Sequence, residues 1–306
     1  MNPFKERLFS VAGLAIAWVS LWVIWADPNP VELFKWSEEE FWQEKVYGKK
    51  NYDVIFAGDS RVYRGISPEV LHRRMLEWDF FNFGFSSGRI DRVLLQAVFR
   101  RLNPDGAKIL VLPLSHNSLF CVENEHYLSI TKPSLLHSLT PEWAVRFRSI
   151  SERRRWWKQS SPETWNYQEK FYRDSGWVGS WTLKNDYEYA LESYRQQFSK
   201  RSGNAVDLQL FDKNLKFCRK KGIRVIAFRM PSCEAMERLE DEMGGIDFGK
   251  VREIVLENGA TWLNVPSDLP LHSYDSSHLD MPSALWFSNY LGEKIQSMFY
   301  KSETKR

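Results

Sequence analysis

Asp53-Val54-Ile55-Phe56-Ala57-Gly58-Asp59-Ser60 (DVIFAGDS) is the stretch that decides how this chain folds. A short apolar run ending in glycine is the signature of a buried parallel strand, and Gly58 permits a tight turn at its carboxyl end. A serine on that turn stands at the edge of a sheet, beside backbone N–H groups that the strand does not pair.

Working outward, the pattern alternates. Ser67-Pro68-Glu69 opens a helix, with Ser as cap, Pro in the first turn and an acid at the positive end of the helix dipole. Residues 80–85 (FFNFGF) form a second strand candidate, 91–102 a helix and 108–114 (KILVLPL) a third strand. Residues 207–221 read as a helix leading into a fourth strand at 222–230 (GIRVIAFRM). A fifth strand follows at 261–265 (TWLNV), and an amphipathic helix at 282–300 closes the chain. Such alternation predicts an α/β fold: a doubly wound, flavodoxin-like, mostly parallel five-stranded sheet with helices on both faces. Residues 118–205 interrupt it. They are rich in Trp, Tyr and Arg and repeat the helix-start signal at Thr140-Pro141-Glu142 and Ser161-Pro162-Glu163, so a mainly helical insertion is expected there. Loops at the carboxyl ends of parallel strands border the ligand crevice, which makes the insertion a candidate lid or partner surface.

Ahead of the domain, residues 8–25 (LFSVAGLAIAWVSLWVIW) contain no charge, Pro, Asn or Gln. As a helix they would rise about 27 Å, close to the hydrocarbon thickness of a bilayer. The apolar run is long for a cleaved leader, Ile24-Trp25-Ala26 is a poor cleavage site, and a core helix would show a polar face. A single transmembrane anchor is therefore expected at 8–25, with a tail at 1–7, a linker at 26–50 and the main domain at 51–306. Lys5 and Arg7 precede the span, so the positive-inside rule puts the tail in the cytoplasm and the domain in the periplasm or cell exterior. The +3 net charge is too small to argue for nucleic acid, and 43% hydrophobic with 26% charged residues is a globular composition. Cys121, Cys218 and Cys233 leave either one disulfide and a free thiol or three buried thiols.

Two short motifs carry chemistry. Gly58-Asp59-Ser60 alone is a weak signal, strengthened by its place after a strand. Asp275-Ser276-Ser277-His278 lies after the fifth strand, where one turn can aim a carboxylate and an imidazole at the same point. A histidine there can act as general base for a serine, with the aspartate orienting its other ring nitrogen. Taken alone it is a surface turn capping the next helix. A metal site at His272, Asp275, His278 and Asp280 is disfavoured, because the two histidines lack helical i, i+3 or i, i+4 spacing and no thiolate joins them.

Together the motifs resemble the SGNH (GDSL-like) hydrolase superfamily, which has a serine after the first strand and DxxH before the last helix. Two further blocks extend the resemblance. Asn82-Phe83-Gly84-Phe85-Ser86-Ser87-Gly88 follows the second strand, where the family has an oxyanion-hole glycine; Gly88 is the nearer match and Gly84 the alternative. Ser115-His116-Asn117-Ser118 follows the third strand where the family shows Gly-x-Asn-Asp, so Asn117 matches while Ser115 and Ser118 depart from the pattern. Arg61 stands where the family usually has Leu. The resemblance implies Ser60 as nucleophile, His278 as base and Asp275 as its orienter. It implies an oxyanion hole from the N–H groups of Ser60 and Gly88 and the Asn117 side chain, and it implies no cofactor.

Within the superfamily the anchor, GDSR, the insertion and the late DxxH look most like the extracytoplasmic proteins related to alginate O-acetyltransferases and D-alanine-transfer proteins. Arg229-Met230-Pro231 and Arg173-Asp174-Ser175-Gly176-Trp177 are looser matches to that subgroup. The resemblance implies transfer of an acyl group, acetyl above all, from Ser60 to a sugar hydroxyl of an envelope or exported polysaccharide, beside a multi-spanning membrane O-acyltransferase. An esterase using the same triad and a non-catalytic scaffold are the alternatives. Arg61 and Arg64 would meet an anionic sugar or else pair with internal acids. Trp177, with Trp156, Trp157, Trp165 and Trp181, would stack on sugars or else build the insertion's core.

Overall fold

A computed structural model describes residues 38–120, 167–172, 174–182, 187–201 and 208–303. The chain divides into two compact units, Met1–Glu40 with Leu139–Ser161 and Phe41–Ser138 with Pro162–Arg306, and the sheet lies in the second. Strands β1 (Val54–Gly58), β2 (Phe80–Gly84), β3 (Ile109–Leu114), β6 (Arg224–Arg229) and β7 (Thr261–Trp262) form an all-parallel sheet in the order β2-β1-β3-β6-β7. Every residue of β1, β2 and β3 is buried, which is why these strands are continuously apolar rather than alternating.

Side chains on the two faces feed two cores. Ile55, Ala57, Leu110, Leu112, Val225 and Ala227 face one, against helices α1 (Glu38–Tyr47), α4 (Arg92–Arg101), α7 (Leu208–Lys220) and α9 (Phe248–Glu257). Val54, Phe56, Ile109, Val111, Ile226 and Phe228 face the other, against α2 (Ser60–Gly65), α3 (Pro68–Arg74) and α10 (Met281–Glu303). Asp91 caps α4 by accepting from Leu94 N–H and Asp247 caps α9 by accepting from Gly249 N–H, whereas Ser67, expected to cap α3, takes no backbone N–H and donates to Glu69 Oε2 at 2.9 Å instead.

The β1–β3 ladder ends at Phe56↔Val111, while the β3–β6 ladder continues to Leu114↔Arg229. Pro113 lies in this last stretch and has no N–H to give a neighbour on the β1 side. The sheet order reverses between β1 and β3, so their carboxyl ends flank the topological switch point.

The interruption of the alternation differs from expectation. Its described part holds a two-stranded antiparallel hairpin, β4 (Tyr167–Tyr172) and β5 (Trp177–Thr182), before helix α6 (Tyr187–Arg201), where a mainly helical insertion was expected. The hairpin turn leans on the sheet edge: Ser175 O accepts from Asn82 N–H of β2 at 2.8 Å, and a Cβ on Gly176 (φ +71°) would stand 2.3 Å from Asn82 O. Helices α5 (His116–Leu119) and α8 (Glu234–Met243) complete the described elements. No helix among the described residues is long and apolar enough to cross a membrane, and the span expected at 8–25 lies outside them. Cys218 is a buried free thiol that burial pushes up to about 12, and Cys233 is free; Cys121 lies outside the described residues.

Candidate active site

Three segments from the carboxyl edge of the sheet converge. Asp59, after β1, caps α2: its Oδ1 accepts from Arg61 N–H at 3.0 Å, which seats Ser60 on the first helical turn, where N–H groups have no intrahelical acceptor. The loop before α10 brings His278 and Asp275. His278 Nε2 is 2.8 Å from Ser60 Oγ, and His278 Nδ1 is 2.6 Å from Asp275 Oδ2. The other carboxylate oxygen, Asp275 Oδ1, accepts from the N–H groups of His278 (2.7 Å) and Ser277 (3.1 Å), so the loop's own backbone aims the carboxylate. Burial alone would raise the Asp275 carboxyl, but the His278 ring and these N–H donors outweigh it and hold it below the ordinary carboxylate value. The Tyr274 ring stacks beside the imidazole, 5.9 Å between centroids.

The third segment is the cap of α5. Ser115 donates to Asp59 Oδ2, a hydrogen bond that a glycine at position 115 could not make. Ser115 Oγ in turn accepts from Ser118 N–H at 3.2 Å, and Ser118 Oγ accepts from Ser115 N–H at 3.0 Å, a reciprocal capping box that fixes the turn carrying Asn117. Ser115 and Ser118 thus form a local device joining this turn to the Ser60 turn. Burial raises the Asp59 carboxyl, opposed by Arg61 and Ser115.

The two glycines have structural reasons of their own. Gly88 N–H donates to Phe85 O at 3.0 Å across a turn in which Ser87 adopts φ 52°, so this donor is engaged within its own loop. A Cβ on Gly88 would stand 2.3 Å from Gly58 O, so the glycine lets this loop close against the turn that carries Ser60. Gly84 N–H donates to Asn82 Oδ1 at 3.0 Å.

Arg61, Arg64 and Trp177 all point inward. Arg61 is buried, donating from Nε to Ser277 Oγ (3.0 Å) and from Nη2 to Glu240 Oε1 (2.5 Å). Arg64 Nη1 donates to Ser180 Oγ and Tyr274 OH, both 2.8 Å, and lies 2.5 Å from Glu169 Oε1. Trp177 is 1% exposed, stacks on Tyr172 at 4.5 Å and donates from Nε1 to Arg64 O. Their charges and ring face are held by the protein, which leaves them as struts between segments rather than a surface for a sugar. Trp156, Trp157 and Trp165 lie outside the described residues.

Three polar residues that the motifs do not announce support these segments. Asn82 Nδ2 donates to Val62 O and Ile66 O, each at 2.7 Å, and so holds the end of α2. A lone asparagine inside FFNFGF was its one visible sign. Ser277 sits inside the Asp275–His278 motif with no role assigned to it there, and Glu240 lies in no motif. Among the described residues no group of three or more His, Cys, Asp or Glu is arranged to hold a metal ion; Asp280 instead caps α10, accepting from Ser283 N–H at 2.9 Å.

Neither a protein-family model nor a curated protein matches this chain. Among solved structures it is similar to a carbohydrate acetylesterase family member from Sinorhizobium meliloti, at 11% identity and TM-score 0.37, over 80% of this chain and 98% of that one. It is also similar to a structure described as a candidate platelet activating factor from Streptococcus pneumonia, at 10% identity and TM-score 0.35, over 90% of this chain and 96% of that one.

Proposed function

We propose that this chain is an SGNH-type serine enzyme of acyl transfer, acting through an acyl-Ser60 intermediate. The observation that carries this reading is the unbroken series Asp275–His278–Ser60, with contacts of 2.6 and 2.8 Å. A serine hydroxyl is a poor nucleophile at neutral pH without a base at this distance. In the first half-reaction Ser60 Oγ attacks the acyl carbonyl and its proton passes to His278 Nε2. Asp275 keeps the Nδ1–H tautomer and stabilises the imidazolium. The oxyanion is held by the Ser60 N–H and the Asn117 side chain, joined by the Gly88 N–H if its turn releases Phe85 O. His278 then returns the proton to the leaving oxygen. In the second half an acceptor hydroxyl gives its proton to His278 and attacks the acyl-serine; the Ser60 Oγ–acyl bond breaks, His278 returns the proton to Ser60 Oγ, and the acceptor leaves as the ester.

The acceptor we favour is a sugar hydroxyl of a cell-envelope or exported polysaccharide, with acetyl as the group moved. The support is the resemblance of the GDSR block, the late DxxH and the apolar 8–25 segment to the alginate O-acetyltransferase and D-alanine-transfer subgroup. In this reading 8–25 anchors the protein in the cytoplasmic membrane, the domain faces the periplasm or exterior, and a multi-spanning membrane O-acyltransferase supplies the acyl group.

The test is incubation of the full chain in detergent with p-nitrophenyl acetate, following the burst and the intact mass, against Ser60→Ala. A burst with an acetyl increment, absent from Ser60→Ala, is expected. Turnover that speeds up with added oligosaccharide supports transfer, and equally fast turnover in water alone supports the esterase. Identical behaviour of the two proteins would replace the enzyme with a non-catalytic scaffold.

A further inference from the structure

Glu240 stands in the middle of α8, remote in sequence from every motif, and its side chain is 2% exposed. Its Oε1 accepts from Arg61 Nη2 at 2.5 Å, and its Oε2 lies 3.2 Å from Nδ1 of the fully buried His116 and 3.3 Å from Arg229 Nη2. Arg61 directly follows Ser60, and His116 directly precedes Asn117. Through Nε, Arg61 also donates to Ser277 Oγ, which shares a hydrogen bond with Tyr194 OH at 2.8 Å. Ser277 lies between Asp275 and His278 and gives its N–H to Asp275 Oδ1. One carboxylate thus touches the nucleophile helix and the helix of Asn117 directly, and reaches the Asp275–His278 loop through a single guanidinium.

We infer that Glu240 is a positioning residue: with Arg61 it fixes the Ser60, Asn117 and Asp275–His278 segments relative to one another. The inference rests on Ser60 being the nucleophile. A planar guanidinium suits the task, since it can donate in two fixed directions at once, to Ser277 and to Glu240. Although burial would raise it, the Glu240 carboxyl is pushed down to about 2 by Arg61 and then His116, so the pair stays ionised across the working range. Buried pairs of this kind add little net stability over apolar residues of the same volume, whereas losing one partner leaves an uncompensated charge. Stability and positioning can therefore be separated by replacing both partners.

The experiment follows the rate at which an alkyl fluorophosphonate phosphonylates Ser60, with loss of fluoride, and the steady-state turnover of p-nitrophenyl acetate, on full chains in detergent. Variants are Glu240→Gln, the double Arg61→Met/Glu240→Leu, and Ser277→Ala. The double variant is expected to melt no lower than Glu240→Gln, yet to label about 100-fold more slowly than wild type with KM unchanged, the scale of a misplacement near 1 Å. Ser277→Ala removes the loop acceptor of Arg61 Nε together with the Tyr194 OH contact, and should lower kcat about 10-fold at unchanged KM, a fraction of that same effect. With wild type labelled at Ser60, a wild-type rate in the double variant or in Ser277→Ala overturns the inference while leaving the nucleophile intact. If the double variant does not fold, Ser277→Ala decides. Failure of wild type itself to label at Ser60 removes the nucleophile, and the positioning role with it.

Discussion

Ser60 Oγ and His278 Nε2 stand 2.8 Å apart although the two residues are separated by 218 positions in sequence. The closeness follows from the sheet: β1 delivers Ser60 to the switch point, and the loop before α10 folds back over the same edge. That loop is tightly held. Ser276 adopts φ 68°, a conformation that costs a non-glycine residue roughly 1–2 kcal/mol, and it is fully buried. Surrounding contacts hold it there: Ser276 O accepts from Cys233 N–H at 3.2 Å, and within the loop Asp275 Oδ1 takes the N–H groups of Ser277 and His278.

Replacing Asp275 with Asn should leave the loop folded but spoil the tautomer, because the amide can present an N–H to His278 Nδ1 in place of an acceptor. The expected outcome is a fall in kcat of about 10³–10⁴-fold with KM little changed. Steady-state kinetics on p-nitrophenyl acetate measures it, and a fall below tenfold would mean that the imidazole is oriented by something else.

Gly88→Ala should be far more damaging than Gly222→Ala. At Gly88 the added methyl meets the Gly58 carbonyl oxygen at 2.3 Å and its carbon at 3.1 Å, both backbone of the nucleophile turn. Overpacking against backbone costs about 1–3 kcal/mol and would also push the loop off Ser60. Gly222 (φ +69°) has nothing within 4 Å of the new methyl, so only the left-handed conformation is penalised, at about 1 kcal/mol. Urea midpoints and acyl-Ser60 formation for both variants test this; equal loss of acylation in the two would contradict it.

The contrast between these glycines shows what was legible in the sequence. DVIFAGDS could be read as strand and turn because a fully buried parallel strand has no polar face to obscure it. The convergence of Ser60 with Asp275 and His278 was readable because one follows such a strand and the others precede the last helix. The hairpin was not. YQEKFY and WVGSWT mix charge with aromatic residues, and what holds them as strands is tertiary: Gly176 against Asn82, Trp177 on Arg64 O, Glu169 on Arg64. Arg61 was undecidable for the same reason, since its partner Glu240 lies 179 positions away in a helix with no distinguishing motif.

Acid unfolding should depend on Glu240. Its folded value of about 2 lies below the ordinary 4.5, so its contribution is fully present above about pH 4.5 and is lost as pH falls towards 2. The size is on the order of 3 kcal/mol. Asp59 opposes it, because a carboxyl raised by burial favours the folded state as pH falls. Comparing urea midpoints of wild type and Glu240→Gln from pH 6 down to pH 3 keeps Arg61 beside Asp59 in both proteins, so the Asp59 contribution largely cancels. The wild type should lose the more stability, and parallel curves would show that the pair is not the acid-labile contact.

Lys45 supplies the opposite test at alkaline pH. Its Nζ is buried among the rings of Phe41, Trp42, Tyr63 and Phe85, 4.9–5.6 Å from their centroids, and donates to Gly84 O at 2.5 Å. Burial pushes its ammonium well below the usual lysine value, so between the folded and unfolded values the unfolded chain binds more protons. Stability attributable to Lys45 therefore rises with pH across that window, and the cost of burying the charge is felt in full below it. Lys45→Met removes the titration while filling nearly the same volume. Wild type should gain stability relative to Lys45→Met between pH 7 and pH 10, read as a converging difference in urea midpoints. A constant difference would mean that the four rings and the Gly84 carbonyl hold the ammonium charged, and that α1 is pinned to the end of β2 by a cation rather than by a neutral amine.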